Sequence, residues 1–215
     1  MGPLGPNELL FLLQGLKWTL ALSVIGFVGG GVFGLLIALA RTAENTPLRR
    51  VTAAYISVFQ GTPLLMQLFV TYYGVALIGL NVDAWLAVAI AFTLHASAYL
   101  GEIWRGAIEA TPHGQTEAAK ALGLHYVSRM KDVVLPQAFK LSLPATVGFL
   151  VQLIKGTSLA AIVGFIELAR AGQIVSNQTY KPLIVFGVVG AIYFVICWPL
   201  SIYGARLEHR LAAAQ

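Results

Sequence analysis

Four windows of this chain, residues 18–40, 51–82, 84–101 and 182–205, contain no Asp, Glu, Lys or Arg, and a fifth, residues 141–166, contains only Lys155. A helix that crosses a bilayer needs about 20 apolar residues at about 1.5 Å each. Each window meets that length or nearly so. Charged residues make up 11% of the 215-residue chain, against about 25% in ordinary soluble domains, too few to coat a water-soluble surface. The sequence therefore predicts an all-α integral membrane protein with five transmembrane helices, roughly residues 16–40, 53–80, 84–105, 136–163 and 182–205.

The first span is not read as a cleaved signal, because its apolar run is too long and no basic cluster precedes it, although Ala38-Leu39-Ala40 mimics a cleavage site. Orientation follows the basic residues. One set of connections holds Arg41, Arg49, Arg50, Arg105, Lys120, Arg129, Lys131, Lys140, Arg206 and Arg210, and the other only Lys17, Arg170 and Lys181. The richer set belongs in the cytoplasm, which puts the N-terminus outside and the C-terminus inside. The net charge of +5 is this bias; there is no solvated basic patch of the kind nucleic acid requires. The single Cys197 excludes a disulfide framework or a cysteine metal site.

The chain reads as one domain over residues 16–210, preceded by an external segment, residues 1–15, in which Leu9 to Leu16 rests along the outer interface. Gly26, Gly30 and Gly34 recur every four residues on one helix face, a pattern that lets membrane helices approach closely. The connection between the second and third spans is a tight turn around Leu80 to Asp83. A longer external segment runs over residues 167–181.

The unusual connection is residues 106–140, polar and helix-prone, with a coupling loop at 106–135. After the break at Thr111 to Gly114, residues 115–122 have strong helix formers, a candidate N-cap in Thr116, and Glu117 three residues before Lys120. Gly123 can end that helix. A second short helix is expected over residues 126–134, and Pro136 opens the fourth span. Two readings fit: a surface on which another protein docks, or an amphipathic helix resting on lipid headgroups.

Glu117-Ala118-Ala119, followed at fixed spacing by Gly123, Val133 and Leu135-Pro136, resembles the EAA signature of ABC importer permeases, with Val133 where that signature has Ile. Over residues 16–210 the chain is similar to permeases of the polar amino acid uptake family, those for histidine, glutamine and arginine. Gln60-Gly61-Thr62-Pro63-Leu64-Leu65, Glu102-Ile103-Trp104-Arg105-Gly106 and Lys155-Gly156-Thr157-Ser158-Leu159 carry the likeness. Gln60 stands where the family usually has Arg, and Gly156 where it often has Asp.

The resemblance implies a type I ABC importer permease fold in the inner membrane. It also implies a coupling contact at Glu117, Ala118, Ala119 and Gly123, seated in a groove of an ATP-binding subunit. The implied partners are a pair of ATP-binding subunits, a second permease forming a homo- or heterodimer, and a periplasmic or extracellular solute-binding protein. No cofactor is expected in this chain, which has no phosphate-binding loop; ATP and magnesium belong to the partner ATPase. The implied function is translocation of a polar amino acid by alternating access. The alternative is another small polar solute, an opine or a sulfur compound.

Ionisable groups at membrane depth mark pathways. Lys155 and Glu167 are 12 residues apart, about 18 Å along a straight helix, and cannot meet unless the segment bends. Either it bends and lines a cavity where Glu167 faces a substrate ammonium, with Thr157 and Ser158 beside it, or Lys155 snorkels and Glu167 is simply external. Gln60, Gly61, Thr62 and Pro63 form a second break, either a hinge and cavity wall or a packing kink. His95 reads as a hydrogen-bonded packing residue, and Glu102, Arg105 and Glu109 as an ion-pair group on one helix face. The chain lacks paired intramembrane carboxylates, a nucleophile with a base, or a metal-ligand pair, which leaves no catalytic or metal residue to nominate and points away from an enzyme.

Overall fold

The computed structural model describes residues 4–77, 79 and 82–212; Leu80 and Asn81 of the expected tight turn lie outside the described residues. Every regular element among the described residues is helical. In chain order these are α1 (Pro6–Thr42), α2 (Thr46–Gly61), α3 (Leu64–Leu77), α4 (Ala84–Glu109), α5 (His113–Ala121), α6 (Tyr126–Val163), α7 (Leu168–Thr179) and α8 (Pro182–Ala212). Among the described residues α1, α4, α6 and α8 are long and apolar enough to cross a membrane; α2 with α3 makes a fifth crossing if the bent pair is one span.

The seam of the bundle is α1 against α4. Gly26, Gly30 and Gly34 line the buried face of α1, and a Cβ on Gly30 would overlap the Ala96 methyl of α4. On Gly34 a Cβ would press on the Gly101 backbone and the Leu100 side chain. Removing side chains from this stripe lets the two backbones approach, as membrane helices require when lipid gives no hydrophobic drive to associate. Val24, Val28 and Val32 occupy the opposite face and are exposed. A helix apolar on both faces suits protein on one side and lipid on the other. Around the seam Leu22, Phe92, Phe149, Leu153 and Val163 fill the core.

Two expectations are corrected, and a third gains its angle. Residues 6–16 do not lie apart from the first span: α1 is one helix of 37 residues, and Leu12 is fully buried against Leu168, Val175 and Val185 of α7 and α8. The break expected in the second crossing at Gln60 to Pro63 is present and sharp: α2 and α3 meet at 105°. Residues 126–134 do not form a separate helix before Pro136: α6 is continuous, with a wide π turn at Met130–Val134 in which the Leu135 N–H donates to the Met130 carbonyl. The reason is local. Pro136 cannot donate to the carbonyl four residues back, and the widened turn lets the helix run through that gap.

Candidate functional site

The short helix α5 starts earlier than its sequence suggests. Pro112 holds the extended conformation that precedes a helix, His113 opens it, and Thr116 lies inside it rather than capping it. Its end is as expected. Gly123 has φ of 76°, the Gly123 N–H donates to the Lys120 carbonyl at 2.9 Å, and the Leu124 N–H donates to the Ala119 carbonyl at 3.0 Å. This pair of bonds around a left-handed glycine fixes where the helix stops and turns the chain towards α6.

Of the residues proposed for a coupling contact, Glu117, Ala118 and Gly123 are exposed, whereas Ala119 is buried within the chain's own packing. Ala119 therefore seats α5 rather than presenting a surface. Glu117 makes no ion pair with Lys120; among the described residues the ion pairs are those of Arg105 with Glu102 and Glu109. Leu122 and Val127 flank the glycine, 81% and 72% exposed, an apolar rim beside the free Glu117 carboxylate. A cavity of about 280 Å³ opens next to this surface, lined by Arg41, Arg49, Glu109, His113, Thr116 and Arg129 among others.

The residues proposed for a pathway divide into two places. Gln60, Gly61, Thr62 and Pro63 sit exposed at the corner between α2 and α3, and Lys155 is also exposed. These two breaks are neighbours: a Cβ on Gly156 would come within 3.3 Å of the Leu64 side chain. At Gly156 the helix tightens to 3₁₀ over Thr157–Val163. The Thr157 hydroxyl, buried, donates to the Ile154 carbonyl at 2.7 Å, and the Ser158 hydroxyl to the Lys155 carbonyl at 2.8 Å.

Glu167 is elsewhere and is not available to a substrate in this structure. It has no exposed surface. The chain bends at Gly164, φ 84°, and Glu167 then caps α7, accepting from the Ala169 N–H at 2.8 Å and the Arg170 N–H at 2.7 Å. Tyr193 of α8 donates to the same carboxylate at 3.0 Å, and Thr19 of α1 lies 3.4 Å from it. The Leu168 N–H closes the arrangement on the Thr19 hydroxyl at 3.1 Å. A buried carboxylate is tolerated when its lone pairs are filled, and these donors fill them. Thus Glu167 is a three-helix clasp in this structure, neither facing open cavity nor external.

Sequence reasoning passed over Thr19, Tyr193 and Gln67. Gln67, four residues after Pro63, is buried behind the corner and hydrogen-bonded to His95 at 3.0 Å; its spacing from the proline was the available signal. His95 is the hydrogen-bonded packing residue expected, and Arg105 pairs with Glu102 and Glu109 as expected.

Comparison with known proteins places this geometry. Residues 30–213 match the family model described as binding-protein-dependent transport system inner membrane component. The arginine transport system permease protein ArtQ of Bacillus subtilis is 36% identical over 202 residues, 94% of this chain and 92% of that protein. A putative glutamine transport system permease protein GlnP of Rickettsia bellii is 37% identical over 205 residues, 95% of this chain and 94% of that protein. The L-cystine transport system permease protein TcyB of Bacillus subtilis is 36% identical over 201 residues, 93% and 86% of the two chains. A crystal structure of an amino acid ABC transporter with histidines superposes with a TM-score of 0.87 at 34% identity, covering 95% of both chains. The inward-facing MetNI methionine ABC transporter shares the fold, with a TM-score of 0.78 at 21% identity over 96% of this chain and 99% of that one. With an EAA-type helix between two apolar crossings and this match over most of its length, the chain belongs to the binding-protein-dependent transport system inner membrane components, a family of membrane transport subunits and not of enzymes.

Proposed function

We propose that this chain is the permease of an ABC importer for a polar amino acid, working by alternating access driven by ATP hydrolysis in a partner. The observation that carries the reading is α5: a short helix stopped by Gly123, with Glu117 and Ala118 exposed, joined to relatives named for arginine, glutamine and L-cystine transport. In this reading residues 16–210 form the permease domain and residues 106–135 the coupling loop. The N-terminus lies outside and α5 in the cytoplasm, where Glu117, Ala118 and Gly123 meet an ATP-binding subunit while Ala119 anchors the helix from within. Two such subunits hold ATP and magnesium; a second permease and an external solute-binding protein complete the assembly. A rigid helix set against a moving subunit passes on force, and the affinity difference between two states decides which is populated.

The exposed corner at Gln60 to Pro63, with Lys155 and Ser158 close by, is the wall proposed to face the pathway between paired permeases; Thr157 supports it from inside. Backbone outside regular helix is tolerated at membrane depth only against protein or a water-filled cavity, and this corner has open space beside Gly61. Replacing Glu117 with Lys reverses the exposed negative charge on the docking face. ATP-dependent uptake of labelled L-arginine or L-glutamine is expected to be abolished while membrane insertion is retained. Uptake at the normal rate by Glu117→Lys rules out the docking role.

A further inference from the structure

A 105° turn between α2 and α3 deprives the last carbonyls of α2 of their helical donors. Pro63 has no N–H, so the Phe59 carbonyl four residues back loses the bond that a continuing helix would supply. The Val58 carbonyl is answered locally by the Thr62 hydroxyl at 2.7 Å. The Phe59 carbonyl is answered from the far side of the corner. Gln67 Nε2 donates to it at 2.8 Å and shares its other hydrogen between the Thr62 carbonyl and hydroxyl oxygens, both at 3.0 Å.

These acceptors fix which way the Gln67 amide is turned, and its Oε1 then faces α4 and meets His95 Nδ1 at 3.0 Å. An amide oxygen only accepts, so Nδ1 carries the hydrogen. His95 is held in turn by the rings of Tyr99 and Phe149, centroids 4.5 and 6.3 Å away. The other arm of the corner reaches the same turn of α4: the Tyr55 hydroxyl donates to the Leu94 carbonyl at 3.0 Å and pairs with the Ser97 hydroxyl at 2.7 Å. Both arms of a broken crossing are therefore fastened to residues 94–97, where one Gln side chain both repairs the break and supplies the second fastening.

We propose that Gln67 is a positioning residue for transport. Its carboxamide closes the corner and fastens it to His95, so that α2, α3 and this part of α4 shift as one body when the permease changes state. Only the flux readout below rests on the transport reading.

Spin labels on Val51→Cys and Leu77→Cys, in a Cys197→Ser background, report the distance across the corner; both positions are well exposed, at 68% and 88%. The full chain is reconstituted with its ATP-binding subunits and binding protein, and L-arginine and L-glutamine flux per ATP hydrolysed is measured in the same vesicles. Gln67→Leu is expected to broaden the distance distribution and lower flux per ATP about tenfold, as an orphaned, half-buried carbonyl at a helix break implies. His95→Leu, which leaves the α2 carbonyls capped and guards against a Gln67 variant that fails to fold, is expected to broaden it less. His95→Gln, which keeps a donor for the Gln67 oxygen, is expected to restore the wild-type distribution. Gln67→Leu combined with His95→Leu is expected to be no worse than Gln67→Leu alone, since one shared bond is lost once. An unchanged distribution in both Leu variants, or losses that multiply in the double variant, overturns the proposal. If the distances behave as stated but wild-type vesicles show no ATP-driven flux of any amino acid, the transport reading fails and the fastening stands.

Discussion

Replacing Glu167 with Ala removes the acceptor at which α1, α7 and α8 meet, and the structure gives the size of the loss. Two of the bonds cap α7, from the Ala169 and Arg170 N–H groups; an N-cap replaced by Ala costs about 1 kcal/mol. The Tyr193 hydroxyl, 3.0 Å from the carboxylate on a half-buried side chain, loses its acceptor, and an orphaned donor costs about 1–3 kcal/mol. Thr19 still accepts from the Leu168 N–H and adds little. The sum is about 3 kcal/mol, or about a hundredfold in the folding equilibrium. Equilibrium unfolding of the purified chain in mixed micelles reads this directly, and Glu167→Gln, which retains an acceptor oxygen but sets an amide N–H₂ against a donor, should lose about 1 kcal/mol. If Glu167→Ala unfolds within about 0.5 kcal/mol of the wild type, the clasp is not a stabilising element. If Glu167→Gln instead keeps full stability and raises the KM for L-arginine but not for L-glutamine, the carboxylate meets substrate and the clasp reading is refuted.

Two further outcomes follow from backbone geometry. Gly30→Leu forces α1 away from Ala96; overpacking costs about 1–3 kcal/mol or more, and the expected result in a thermal-stability measurement is loss of the folded chain, while Val28→Leu on the exposed face leaves it unchanged. Gly123→Ala meets no atom within 4 Å, so only its φ of 76° is strained, by about 1–2 kcal/mol. Insertion should be normal, and coupled ATP hydrolysis should fall several-fold because the end of α5 is no longer fixed.

The parts of this fold that were legible are those set by nearest neighbours along the chain. Charge-free windows marked the crossings because a bilayer leaves an apolar helix no other acceptable state. The glycine spacing on α1 announced a close helix contact, although not that α4 would fill it. Pro63 announced a break but not its angle, and not the Gln67 amide that repairs it. The error at Thr116 came from reading the best capping side chain as the start, where the backbone set by Pro112 prevailed. The π turn before Pro136 is invisible to any helical period. Glu167 was misread for a deeper reason: its partners Thr19 and Tyr193 lie 148 and 26 residues away, and nothing local shows that an acid in an apolar run will be met by hydroxyls from two other helices.

The long separation between Thr19 and Glu167 also bears on how the molecule is made. Helix α1 leaves the ribosome before α7 and α8, and keeps its Leu12 and Thr19 face bare until they emerge. At about 5–20 residues per second that interval lasts on the order of ten seconds. Through it, whatever shelters α1 in the membrane (insertase or lipid) must hold those early turns without burying them for good, and a nascent chain arrested near residue 160 would keep its N-terminal turns open to protease long after α1 and α4 have joined.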